Sequence, residues 1–188
     1  MQIRKAAVRY RPDGPQCSKL AGSSAKYYRD AKGFYQREDE KLKDDTIMYE
    51  VFHYTQEDDA CLGHLSWGLT VMQPVTVCGE CNMTRGHFHS NAECAEIYCG
   101  VDGHGLLLLM DENGKTWAEQ VEPGTVHYIK GNLAHRLVNT GEEILKVAAC
   151  WPTAAGHDYG RVERQPFAYR IFKSNGSVEI KSREGERQ

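Results

Sequence analysis

Leu106-Leu107-Leu108-Leu109-Met110-Asp111-Glu112-Asn113-Gly114-Lys115-Thr116-Trp117-Ala118-Glu119-Gln120-Val121 reads as a strand, a turn and a second strand. The apolar run stops at Asp111, far short of the ~18 consecutive apolar residues of a membrane span. Asn113 and Gly114 between the two runs adopt positive φ at little cost, which is turn chemistry. Outward from this hairpin the same texture holds from Ile47 to Trp151: short apolar runs broken by Gly, Pro, Asn or Asp. That is the pattern of an all-β sandwich or barrel. It predicts strands at Ile47–Phe52, Leu65–Met72, Arg85–His89, Ile97–Val101, Leu106–Met110, Thr116–Val121, Val126–Ile129, Ala134–Asn139 and Leu145–Cys150. Residues 46–160 form the barrel in this reading. Residues 1–45, polar and charged, are an extension of short strands and one short helix packed on it. Residues 161–188 add a C-terminal strand and a frayed tail.

Composition narrows the partners. The chain has 188 residues, with 23 Lys+Arg against 26 Asp+Glu and a formal charge of −3, so no basic excess draws it to nucleic acid or to an anionic membrane. Hydrophobic residues at 40% and charged residues at 26% fit one folded domain. The first nine residues lack the apolar core of a secretory signal, and the seven cysteines, an odd number, read as reduced thiols. A cytoplasmic protein is expected.

Gly86-His87-Phe88-His89, followed by Glu96 and distant His135, carries the chemistry. Alternate residues of a strand face one side, about 6.6 to 6.8 Å apart along it, so His87 and His89 can converge on one cation. Glu96 and His135 would complete a site of three nitrogens and one oxygen, suited to Fe, Mn, Co, Ni or Zn and open to substrate. Glu93, in the loop after Ser90, reads as a solvated carboxylate. His53, His64, His104 and His127 read as surface or core polar groups. A competing arrangement joins Cys78 and Cys81 to His87 and His89 as a closed structural zinc site.

These residues also carry a family resemblance. His87-Phe88-His89 with Glu96, then His135 with Asn139, resembles the two metal motifs of the cupin β-barrel superfamily, with Cys81 standing where the first motif has Gly. More specifically, Thr84-Arg85-Gly86-His87-Phe88-His89, Ala95-Glu96-Ile97-Tyr98, Ala134-His135-Arg136 and Ala155-Gly156-His157-Asp158-Tyr159 resemble the cupin-type glucose-6-phosphate (phosphoglucose) isomerases. Asn82 departs from that pattern, where family members often carry Lys.

The resemblance implies an all-β cupin barrel and a homodimer. It implies metal-dependent interconversion of glucose 6-phosphate and fructose 6-phosphate, as in glycolysis and gluconeogenesis. By the same carry-over, one divalent metal per subunit, iron first and Mn, Ni, Co or Zn after it, is held by His87, His89, Glu96 and His135. Glu96, His157 and Tyr98 are then catalytic, and Tyr49, Thr70, Thr84, Gly86 and Tyr159 line the sugar-phosphate site. Two alternatives keep the barrel and change the chemistry: an Fe(II) dioxygenase using the same ligands, and a cupin that binds a sugar without turning it over.

Overall fold

In the computed structural model, which describes residues 1–4, 6, 8–9, 22–56, 61, 63–174 and 176–183, the hairpin forms as read. Strands β7 (Gly105–Met110) and β8 (Thr116–Val121) pair antiparallel, Leu106 opposite Gln120 and Met110 opposite Thr116. Their turn is fixed by Asp111, whose carboxylate accepts from the N–H groups of Asn113 and Lys115 at 2.9 Å each, with Gly114 at φ +85°. Strand β10 (Ala134–Asn139) pairs with the other edge of β7, making a three-stranded sheet. Leu107, Leu108, Leu109 and Met110 are all buried, so both faces of β7 are covered and an unbroken apolar run is what this position needs.

The larger sheet has six strands. In spatial order they are β1 (Gly22–Tyr27), β2 (Ile47–Thr55), β3 (Leu65–Met72), β11 (Leu145–Pro152), β6 (Glu96–Asp102) and β9 (Val126–Ile129). A third sheet joins β4 (Thr76–Val77), β5 (Glu80–Cys81), β12 (Tyr169–Ser174) and β13 (Ser177–Ser182). Among the described residues there are also two short α-helices, α1 (Tyr28–Ala31) and α2 (Tyr159–Arg164), and a 3-10 turn at Lys32–Phe34. The all-β architecture expected of a cupin is what the chain forms. The stretch 161–183 holds most of α2 and the β12–β13 hairpin, while residues 184–188, expected to fray, lie outside the described residues, as does Cys17.

One expected strand is corrected. Arg85–His89 belongs to no ladder. His87 exchanges backbone hydrogen bonds with His135, at 3.3 and 3.0 Å, and the next residue, Phe88, exchanges them with Asp158, at 3.3 and 2.8 Å. Consecutive residues thus serve different neighbours, and Gly86 at φ +75° bends the chain just before them. The alternation of faces that the reading relied on survives this, because the local backbone remains extended enough to pair on both sides.

The N- and C-terminal parts are tied through the third sheet. Glu80, 1% exposed, accepts from the Arg170 guanidinium at 2.8 Å and from the Gln36 N–H at 2.7 Å. Cys78 and Cys81 sit in this β4–β5 hairpin, Cys78 exposed and Cys81 buried, and all six described cysteines are free thiols.

Strand β6, which carries Glu96, is held by a close backbone crossing at Gly100. A Cβ there would stand 2.1 Å from the Glu122 carbonyl oxygen, a backbone atom that no rotamer change can move. Gly100→Ala is therefore expected to cost about 2–4 kcal/mol by overpacking. Urea unfolding checks this, and a loss below about 0.5 kcal/mol would contradict the rigid crossing.

Candidate metal centre

The His87–His135 bridge decides the site, because it sets two imidazoles side by side with ring centroids 4.3 Å apart. His89, two residues on, returns to the same side, 5.7 Å from the His87 ring and 5.2 Å from that of His135. Glu96 opens β6, and its carboxylate reaches back to His89 Nε2 at 3.2 Å and lies 3.1 Å from His135 Nε2. One donor atom from each of His87, His89, Glu96 and His135 lies within 4.8 Å of the others. Neither Cys78 nor Cys81 joins this cluster, which removes the closed zinc arrangement. Glu93 is exposed, with its N–H on Asn91.

The donor set fits a cation. His89 Nδ1 lies 2.6 Å from the Cys94 carbonyl and His135 Nδ1 lies 3.4 Å from that of Leu133. Each carbonyl accepts the Nδ1–H and so turns the Nε2 lone pair inward, the orientation second-sphere carbonyls impose on ligand imidazoles. Nε2 of His87 and of His135 are buried without a hydrogen-bond partner, His135 Nε2 being close to Glu96 but not aligned with it. Two orphaned buried ring nitrogens are costly unless something accepts their lone pairs, and a divalent metal does so.

Charge follows from the same contacts. Burial pushes the Glu96 carboxyl up, but the close His135 and His89 imidazoles outweigh it and hold the group below its usual range. Burial, reinforced by the three neighbouring imidazoles, drives His87 well below the usual histidine range. Burial likewise lowers His157. Burial pulls His89 down, but its contacts with Glu96 and the Cys94 carbonyl outweigh it and raise the group. A neutral His87 beside an ionised Glu96 is what ligation requires of those two groups.

Around the cluster the segment Gly156–Tyr159 closes one wall. His157 lies 4.4 Å from His87, ring to ring, and stacks on Tyr159 at 5.7 Å with an interplanar angle of 6°. Two constraints hold it there: the Phe88–Asp158 backbone pair, and Gly156 at φ +61°, where a Cβ would press on Ser90 at 2.9 Å. Tyr98, on β6 two residues from Glu96, faces His135 at 5.6 Å, and burial raises its phenol well above the usual range.

All of these open into a cavity of about 550 Å³ between the six-stranded sheet and β10. Tyr49, Thr70, Thr84, Gly86, Tyr98, His157 and Tyr159, the residues singled out for catalysis and substrate, all line it. His89 supports the cluster from behind this lining. Trp151, read as either a pocket wall or a packing residue, lines it too, as do Lys26 and Arg85, to which the sequence reading gave no role. His53, read as a surface or core polar group, is exposed and also lines the cavity. Asn82, fully buried, does not line it; its amide donates to the Met48 and Gln73 carbonyls and its oxygen accepts from Tyr35.

Residues 25–187 match the family profile described as "Glucose-6-phosphate isomerase (GPI)". The chain is 38% identical over 154 residues to a glucose-6-phosphate isomerase of Thermococcus onnurineus, covering 80% of each chain. It is 35% identical over 165 residues to that of Thermococcus litoralis, covering 86% of each. Among solved structures, an oxalate decarboxylase of Lactobacillus farciminis is similar at a TM-score of 0.47 and 17% identity, over 59% of this chain and 30% of that one. A profile match over most of the chain, with relatives of this identity and coverage, establishes that the protein belongs to the glucose-6-phosphate isomerase (GPI) family.

Proposed function

We propose that the protein is a metal-dependent aldose-ketose isomerase that interconverts glucose 6-phosphate and fructose 6-phosphate. The observation that carries this is a three-imidazole, one-carboxylate cluster, half-buried at His87 and buried at the other three, opening into a cavity in a chain of this family. A divalent cation held there supplies Lewis-acid stabilisation of the negative charge that grows on O1 and O2.

The chain's own groups do the rest. Glu96, ionised by its histidine contacts, moves the proton between C1 and C2. His157, kept neutral by burial, exchanges the proton that opens and closes the sugar ring. Tyr98 and Tyr159 remain protonated and donate to sugar hydroxyl oxygens. Tyr49, whose phenol burial pushes up to about 12, is likewise a neutral donor. Thr70, Thr84 and the Gly86 N–H complete the substrate cradle. The Thr84 hydroxyl oxygen accepts from the Leu137 N–H at 3.0 Å, which leaves its own proton to donate.

Iron is the first candidate for the cation by the family resemblance, and the mixed nitrogen and oxygen donor set admits Mn, Ni, Co or Zn as well. Six free thiols support a cytoplasmic setting. A homodimer is supported by the outward face of the six-stranded sheet, where Ile97, opposite Tyr128, and Val126 are 42%, 63% and 69% exposed, a patch that a second copy would cover.

The test is direct. Purified protein given either sugar phosphate should bring both to the same equilibrium mixture, followed by NMR. Absence of conversion from both sides, across the candidate metals, would overturn the assignment.

A further inference from the structure

The cavity is lined by cations as well as by the ligand cluster. Among the described residues Glu96 is the one carboxylate in the lining, and it faces His89 and His135. Lys26 and Arg85 are the lysine and arginine of the same lining, half-buried where Glu96 is buried. Lys26, on β1, lies directly across from Tyr49 on β2, and the Arg85 N–H donates to the Tyr49 phenol oxygen. One cation therefore comes from the six-stranded sheet and the other from the segment facing it, with the same tyrosine between them.

The two are held differently. The Arg85 guanidinium lies over the Tyr159 ring at 4.4 Å and pairs with Glu163, and its backbone carbonyl accepts from the buried Arg136. That fixes the segment in place while part of the charge is already compensated. Lys26, half-buried, has no carboxylate partner among the described residues. The hydroxyls of Thr70 and Thr84 and the Gly86 N–H orient an anion but carry no net charge. A phosphate dianion leaving water needs charge-assisted bonds to offset its desolvation.

We propose that the Lys26 ammonium and the Arg85 guanidinium form an anion subsite in the cavity lining, receiving the phosphate of a sugar whose carbonyl end lies at the metal centre. This deepens the isomerase reading and rests on it for the sugar, though not for the anion. It also gives the N-terminal strand a role in the site, since β1 supplies the uncompensated charge.

Calorimetry on the metal-loaded full chain tests it without turnover, using glucitol 6-phosphate and glucitol, polyols that cannot be isomerised. The wild type is expected to prefer the phosphorylated polyol. Lys26→Met should cut that preference about tenfold or more, the size of a lost charge-assisted bond. Lys26→Arg should restore most of it, Arg85→Met should lower it in the same direction, and Lys130→Met, an exposed control, should leave it unchanged. In turnover, Lys26→Met should raise KM for fructose 6-phosphate about tenfold with a smaller change in kcat, the mark of lost ground-state binding. A preference kept within about twofold in Lys26→Met overturns the subsite even if the protein isomerises. Lost preference in a protein that does not isomerise would instead sink the isomerase reading and leave the subsite standing.

Discussion

Replacing His135 by Ala is expected to lower bound metal from about one per chain to near zero and turnover by at least about a thousandfold. His135 supplies one of four ligand atoms, and its Nε2 is buried with no other partner. Removing it leaves Glu96 with one imidazole contact in place of two and opens the cluster to water, so chelation and positioning fail together. The backbone exchange with His87 does not depend on the side chain, so the barrel should persist, and circular dichroism with urea unfolding would verify that. His87→Ala should behave alike, since the His87 ring sits between His135 and His157. Metal analysis beside a coupled assay gives the result. Either variant keeping stoichiometric metal and activity within about tenfold of wild type would remove that residue from the centre.

Glu96→Gln separates anchoring from proton transfer. The amide keeps the shape of the carboxylate and can still offer an oxygen to the metal, but it cannot carry a proton between carbons at neutral pH. Three imidazoles remain, so metal should bind with reduced affinity and reach full occupancy when supplied in excess. At that occupancy kcat is expected to fall about 10²- to 10⁴-fold, the range of general acid–base catalysis. Substantial activity in the fully loaded variant would assign Glu96 to the metal alone and leave the shift between C1 and C2 to direct hydride migration. Glucose 6-phosphate deuterated at C2 reports on the same point: a Glu96 proton route releases part of the label to solvent, and a hydride route retains all of it.

Which features could be read from the chain alone follows from the range of the forces involved. The β7–β8 hairpin was legible because its run of four leucines, its Asx-type turn at Asp111 and its positive-φ Gly114 are all local. His87, His89, Glu96 and His135 were legible as a set because alternation along extended backbone places the first two together, and the motif spacing marks the others. Arg85–His89 was misread as a regular strand because its neighbours, β10 on one side and the 156–158 segment on the other, are distant in sequence, and periodicity does not distinguish one partner from two. The β4–β5 hairpin, two residues in each strand, is too short for any periodic signal. Lys26 stands in a polar stretch with no motif, and only the antiparallel register with β2 brings it to Tyr49. His53 was passed over for the same reason, since it reaches the cavity through its place on β2 and not through its spacing.

Asn82 shows the converse. Its difference from the family pattern drew notice in the sequence, yet its side chain is spent on the Met48 and Gln73 carbonyls and on Tyr35. A substitution there would alter packing beneath the cavity wall, and the lysine and arginine of the cavity lining are Lys26 and Arg85 instead.

The central claim, isomerisation at a metal held by His87, His89, Glu96 and His135, is tested most directly by a coupled assay of fructose 6-phosphate conversion on protein as isolated, after chelation, and after return of Fe²⁺, Mn²⁺, Ni²⁺, Co²⁺ or Zn²⁺. Activity that chelation abolishes and at least one cation restores, at about one metal per chain, is the predicted result. Full activity in thoroughly metal-free protein, or silence with every cation at full occupancy, would contradict it.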